Sequence, residues 1–277
     1  MSVPREGWWQ YFGATQPPFT RNLAVTQLFR ATAWQEAQAR VQSTVHDPGF
    51  LVLTGESGVG KTTVLRSVLQ PLNPSQYRLC YLTVAEDWTE RHLYRALAQD
   101  LGLPWAPTAD AVEAQVRQTC WTLTTHHGQL PIVVLDEAHL LSPHALQGLR
   151  RLLNFEFDTT APLALVLVGH TELRRKLALR PLEAIRQRVT VAYQLPPLTA
   201  AETTHYLEQQ LHQVGIERPV FAHAAMARGY TWSQGIPRRI NHWARATLLA
   251  AYATQTLIVD EAIVTMAEAE LQWAGAV

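Results

Sequence analysis

The sequence predicts an α/β fold: a phosphate-loop (P-loop) domain on a parallel five-stranded sheet, followed by a small all-helical domain. Three observations carry that prediction. A glycine-rich turn, "GESGVGKTT" over Gly55 to Thr63, comes one residue after the apolar run "FLVL" at Phe50 to Leu53. Four more runs rich in β-branched or aromatic residues follow, with helical patterns between them. Beyond "LPPLTAAE" no strand-like run recurs, and helical spacing takes over.

The opening segment, with Pro17-Pro18, reads as an extended arm, and a helix is expected around Trp34 to Val45. "FLVL" is the first buried strand. Behind the glycine turn, "TTVLRSVL" puts Val64, Leu65, Val68 and Leu69 on one helical face. The later strands are "RLCYLTVA" (Arg78 to Ala85), "PIVVLDE" (Pro131 to Glu137), "LALVLVG" (Leu163 to Gly169) and "VTVAYQL" (Val189 to Leu195). Helical patterns including "TERHLYRALAQDLG" and "SPHALQGLRRLLNF" separate them. Alternating strands and helices imply a parallel sheet covered on both faces, with ligands bound at the carboxyl ends of its strands. In the second domain the helices are "TAAETTHYLEQQLHQVG", "PVFAHAAMARGY", "IPRRINHWARATLLAAYA" and "VDEAIVTMAEAELQWA". Thr199 and Asp260 are N-cap candidates there, and Gly215 is a stop. The chain thus divides into an arm and helix over 1–48, an αβα domain over 49–197 and a helical lid over 198–277.

At 277 residues and 47% hydrophobic content, the chain supports a packed core in one large or two unequal domains. Formal net charge is zero, so a nucleic-acid site would have to be a local patch. Cys80 and Cys120 lack metal-ligand spacing and read as buried thiols in a reducing cytoplasm. No apolar run approaches the ~20 residues that cross a bilayer, and "MSVPREGWWQYFG" has no signal-peptide core. A cytoplasmic protein with no membrane partner is expected.

Of the 23 lysines and arginines only Lys61 and Lys176 are lysines, and Lys61 stands inside the glycine turn. The spacing G-x-x-x-x-G-K-T is the one that cradles a triphosphate. Gly55, Gly58 and Gly60 are expected at positive φ, which brings backbone N–H groups close to phosphate oxygens ahead of a helix N-terminus. The nucleotide contacts are expected from Gly55, Glu56, Ser57, Gly58, Val59, Gly60, Lys61, Thr62 and Thr63. Lys61 would meet the β- and γ-phosphates, and the Thr62 hydroxyl would ligate Mg²⁺. Further along, "IVVLDEAH" ends a strand on Asp136 and Glu137. The first carboxylate can hold Mg²⁺ through its water shell, and the second can orient and deprotonate an attacking water. His139 completes "DEAH" and reads as a helix-surface or packing residue.

On these motifs the chain resembles an AAA+ ATPase, more narrowly the ExeA-like branch that includes transposition ATPases of the TnsC, IstB and MuB kind. The stretches that carry the resemblance are "YFGATQPPFT", "GESGVGKTT", "LDEAHLL", "LLNFE", "LVLVGHTELRRKL", "RQRVTVAYQLPPLTAAET" and "GIPRRINHWA". The resemblance implies an AAA+ core with a helical lid, ATP and Mg²⁺ as cofactors, and ATP hydrolysis as the activity. It places His170 at sensor 1, a polar residue facing the γ-phosphate or attacking water, where this branch is expected to carry glutamine. Arg188 matches an arginine finger supplied across a subunit boundary, with Arg186 as the nearby alternative. Arg238 in "GIPRR" matches sensor 2. Tyr11, Phe12 and Phe19 either lie near the adenine or an adjoining subunit, or pack the arm into the core. Assembly is implied as a homo-oligomer, a ring or helical filament of roughly six or seven subunits per turn.

Two classes of function are compatible with that resemblance. In the first, the protein assembles on double-stranded DNA and recruits or activates a transposase, with a target-selection protein as a further partner. In the second, it is an ExeA-like ATPase acting on a protein client in secretion or complex assembly. ExeA-type secretion proteins carry a membrane helix and a cell-wall-binding region beyond the ATPase core, and neither pattern is in this sequence, which puts transposition first. The resemblance implies that the region between the second and third strands faces a central channel, so DNA contacts are expected at Arg91, Arg95, Thr108 and Arg117, where cations and hydroxyls can track phosphates. Arg91 and Arg95 are equally an i, i+4 pair solvating a helix. A second basic cluster comprises Arg174, Arg175, Lys176 and Arg180.

Overall fold

The computed structural model describes residues 7–20, 23–86, 88–104, 106–153 and 161–273, which cluster into two compact units. Asn154, Phe155 and Glu156 of the "LLNFE" stretch lie outside the described residues. One unit takes in Thr32–Glu56 and Lys61–Leu195. Its elements are α1 (Thr32–His46), β1 (Phe50–Thr54), α2 (Lys61–Leu69), β2 (Tyr77–Thr83), α3 (Glu90–Asp100), α4 (Ala109–His127) and β3 (Leu130–Asp136). They continue with α5 (Pro143–Leu152), β4 (Ala164–Gly169), α6 (Glu172–Leu177), α7 (Glu183–Arg186) and β5 (Val191–Gln194).

The five strands form one parallel sheet in the order β2-β3-β4-β1-β5. β1 and β4 are buried along their whole length, as unbroken aliphatic runs require of strands covered on both faces. Phe50 and Val52 of β1 and Leu165 and Leu167 of β4 belong to one buried cluster with Leu93 and Leu97 of α3 and Leu146 and Leu149 of α5. The predicted face of α2 is inside: Val64, Leu65, Val68 and Leu69 are all buried.

A three-helix clasp secures the outer edge of this layer. The Arg151 guanidinium of α5 lies 3.1 Å from Glu113 of α4 and hydrogen-bonds Glu90 of α3. Both carboxylates are largely shielded, and burial pushes the Glu113 carboxyl upward while Arg151 pulls it down. Arg151→Ala should therefore destabilise the protein by about 1–3 kcal/mol, less than a fully buried pair because Arg151 is half exposed. Urea unfolding measures this, and a midpoint equal to wild type would refute the clasp.

The other unit gathers the arm, Ser57–Gly60 and the C-terminal helices α8 (Ala200–His212), α9 (His223–Ser233), α10 (Pro237–Ala253) and α11 (Glu261–Trp273). Thr199 caps α8 by accepting from Glu202 N, and Asp260 accepts from Ile263 N at 3.0 Å ahead of α11. Gly215, at φ 88°, lies just past α8. Trp243 is the hub of this core, stacked on Phe221 with Gly229 leaving room for its ring. Of the roles left open for the arm's aromatics, the structure shows core packing. Phe12 and Phe19 are buried, Phe19 against Phe221, and Tyr11 sits edge-on to Tyr252. The arm is pinned where Thr15 N and Oγ1 donate to Val214 O at 2.9 and 3.2 Å. An isolated parallel bridge, Phe221 to Val259, interrupts a segment whose spacing reads as wholly helical. Among the described residues, no helix is long and apolar enough to cross a membrane.

Candidate active site

Because β3, β4 and β1 are parallel neighbours, the segments that leave their carboxyl ends emerge on one edge of the sheet. Those segments are the glycine turn, Asp136-Glu137 and His170. Gly58 and Gly60 adopt positive φ, 81° and 110°. Gly55 does not, against the expectation for all three glycines. It is still paired with the sheet, donating its N–H to Gly169 O at 3.2 Å, so the chain turns only after it. Lys61 opens α2 with a buried side chain whose Nζ donates to Gly55 O and Glu56 O, both at 2.9 Å. The ammonium is thereby held against the loop it would serve.

Asp136 is buried and fixed at both oxygens. Oδ1 accepts from Glu137 N at 2.9 Å, while Oδ2 accepts from Tyr81 at 2.6 Å and from Thr62 Oγ1 at 3.5 Å. Burial, followed by this hydrogen bond, pushes the Tyr81 phenol well above its ordinary range, so it stays a donor. Tyr81 escaped the sequence reading, since an aromatic residue in a strand is the commonest of signals. A carboxylate and a hydroxyl converging this closely are hard oxygen donors of the type Mg²⁺ takes, so Thr62 and Asp136 fit that ion.

Glu137 follows in the left-handed region, φ 56° and ψ 32°, a conformation that costs a non-glycine residue about 1–3 kcal/mol. The turn aims its carboxylate between two histidines. Oε2 lies 3.4 Å from His139 Nδ1 and 3.8 Å from His170 Nε2. The two rings meet edge-on with centroids 4.5 Å apart, and His170 N donates to His139 Nδ1 at 3.4 Å. Burial, then the neighbouring His170, lowers the His139 pKa. The packing role expected of His139 is thus packing beside Glu137, which sequence spacing alone does not reveal.

The remaining candidates are dispersed. Ser57–Gly60 cluster with the helical unit, where Arg238 donates its N–H to Gly58 O and Nη1 to Ser57 Oγ, each at 3.3 Å. A Cβ on Gly58 would come within 2.6 Å of Arg238 Cβ, so this glycine is required for clearance as well as for its φ. Arg188 is half-buried just after α7, and Arg186 and Arg239 are exposed. Arg91 and Arg95 project from the exposed face of α3 and Arg117 is half-buried on α4. Thr108 has a local task, capping α4 by accepting from Ala111 N at 3.2 Å. In the second basic cluster, Lys176 Nζ is tied to the carbonyls of His139 and Leu141 and Arg174 bonds Gln194, while Arg175 and Arg180 are exposed.

A P-loop, a strand-end carboxylate pair and a polar residue after β4, on this sheet order, are the parts of a nucleotide-hydrolysing site. Residues 44–177 match the family described as "AAA domain". That segment is similar to an AAA domain. Beyond that segment the chain has ExeA-like sequence similarity. General secretion pathway protein A from Aeromonas hydrophila is 34% identical over 252 residues, covering 88% of this chain and 45% of that protein. The chain therefore spans less than half the length of that relative. Among solved structures, Cdc6p from Pyrobaculum aerophilum superposes with a TM-score of 0.70 at 18% identity, over 91% of this chain and 70% of that one. The Aeropyrum pernix ORC1 protein in complex with DNA gives 0.63 at 19% identity, over 96% and 69%. Both likenesses are of fold, over most of the chain.

Proposed function

We propose that this protein binds and hydrolyses ATP, and that its nucleotide state governs a homo-oligomer acting on a protein client in secretion or complex assembly. The observation that carries this reading is the 34% identity with General secretion pathway protein A across 88% of the chain. In it, the turn Gly55 to Thr63 embraces the phosphates and Lys61 neutralises their charge. Thr62 and Asp136 would hold Mg²⁺, which supplies charge neutralisation at the phosphate oxygens. Glu137 takes the proton of the attacking water, and His170 orients that water or the γ-phosphate. Arg188 completes a neighbouring subunit's site, and Arg238 senses the γ-phosphate within its own chain.

A second reading has its own support. Arg91 and Arg95 are exposed one helical turn apart, and a fold relative, ORC1, is a DNA complex. In this version the oligomer forms on double-stranded DNA and recruits or activates a transposase. Sequence motifs alone put it first, and the secretion relative reverses the order. The deciding experiment measures phosphate release and nucleotide-dependent assembly with and without duplex DNA at low salt. The protein-client reading expects assembly with a non-hydrolysable ATP analogue alone and no retention of DNA on filters. DNA retention that requires the analogue, falls steeply with salt and weakens in Arg91→Ala would instead establish the second reading.

A further inference from the structure

We propose that Glu137, His139 and His170 form a binding site for a divalent transition-metal cation of the zinc type, and that occupation of this site switches off the general base. It is distinct from the Mg²⁺ position expected at Thr62 and Asp136. The candidate ligand atoms all lie within 4.8 Å of one another. Ligands of a tetrahedral ion at about 2.0–2.1 Å are separated from each other by roughly 3.3–3.5 Å. Glu137 Oε2 and His139 Nδ1 stand 3.4 Å apart, and Glu137 Oε2 and His170 Nε2 need to close a few tenths from 3.8 Å. An ion on His139 Nδ1 would take the lone pair that now accepts the His170 N–H at 3.4 Å, a hydrogen bond long enough to be given up at small cost.

Three further features favour a cation there. Glu137 Oε2 is shielded from solvent yet makes no hydrogen bond among the described residues. A carboxylate oxygen in that position has lost water without gaining a donor, and a metal ion supplies the missing partner. The scaffold is also fixed beforehand: Lys176 ties down the carbonyls of His139 and Leu141, and Asp136 Oδ1 holds the N–H of Glu137. Finally, two imidazole nitrogens and one carboxylate oxygen are a zinc donor set with one position left for solvent, whereas Mg²⁺ requires oxygen ligands in octahedral array.

The consequence for catalysis follows from the electron pair used. An Oε2 lone pair donated to the metal is no longer available to take a proton from water. Phosphate release should fall while nucleotide affinity holds, because the P-loop lies outside the donor set. The switching half of the proposal rests on the ATPase reading; the binding half does not.

The test uses the full chain without a histidine tag and Co²⁺ as the spectroscopic probe. One equivalent of Co²⁺ should develop the strong visible bands of a four-coordinate ion, and Zn²⁺ should bleach them. His139→Gln and, separately, His170→Gln should each weaken Co²⁺ binding by about tenfold or more, with thermal melting checked against wild type. Low-micromolar Zn²⁺ beside excess Mg²⁺ and ATP should inhibit wild-type phosphate release, and His139→Gln should resist it. Absence of the bands, or bands that survive both substitutions, would overturn the site. Bands without inhibition of an active enzyme would overturn the switch alone. If the protein proves to have no ATPase activity, the cobalt spectrum still decides the binding half. If one variant fails to fold, the other, with Glu137→Gln, decides.

Discussion

Lys61→Ala should lose nucleotide binding, whereas Glu137→Gln should keep nucleotide and lose about 10²–10⁴-fold in turnover. Lys61 is the ammonium lodged against the glycine turn, and the other lysine, Lys176, is occupied by two backbone carbonyls. No neighbouring lysine can take over. Glutamine at 137 preserves side-chain shape and places an amide donor opposite His139 Nδ1, so the turn should hold while the base is gone. Fluorescent-nucleotide titration separates the two variants, and phosphate release measures the second. Normal turnover in Glu137→Gln would remove Glu137 as the base, and undiminished binding by Lys61→Ala would remove the P-loop as the nucleotide site.

What the sequence makes legible here is local. The three central strands β1, β3 and β4 are legible because burial on both faces demands unbroken apolar stretches, the half-exposed edge strands β2 and β5 show as β-branched and aromatic runs, and capping residues such as Thr199 and Asp260 mark helix starts by their own chemistry. α4 is harder to see. Its buried positions include Glu113 beside Val112, Val116 and Cys120, and the polar residues around them blur the apolar stripe. The order of the strands is set by crossovers, which no single strand encodes. The meeting of Glu137 with His170 depends on that order, since β3 and β4 must pair before residues so distant in the chain can meet. Tyr81 reaches Asp136 by the same route, through the pairing of β2 with β3. The opposite case is Gly55, where the motif predicts a special backbone and a sheet hydrogen bond keeps an ordinary one.

Arg188→Ala should bind ATP almost normally and hydrolyse it about 10³–10⁵-fold more slowly, with partial rescue when mixed with Glu137→Gln. Arg188 follows α7, immediately before β5, and β5 is an edge strand of the sheet. A guanidinium that stabilises charge on a transferring phosphoryl group must approach it from outside the P-loop, and an edge location suits delivery to an adjoining chain. Each variant alone then carries one defect in every composite site. In a mixed oligomer, some interfaces pair the intact Glu137 of an Arg188→Ala subunit with the intact Arg188 of a Glu137→Gln subunit, and those sites regain all their parts. Phosphate release from the mixture should exceed the sum of the two proteins measured separately, with a maximum at intermediate mixing ratio. Arg188→Lys should not substitute, since an ammonium lacks the planar fork that meets two phosphoryl oxygens at once. If mixed oligomers are verified by subunit exchange and still show only additive activity, Arg188 does not act in trans, and exposed Arg186 becomes the position to test by the same mixing.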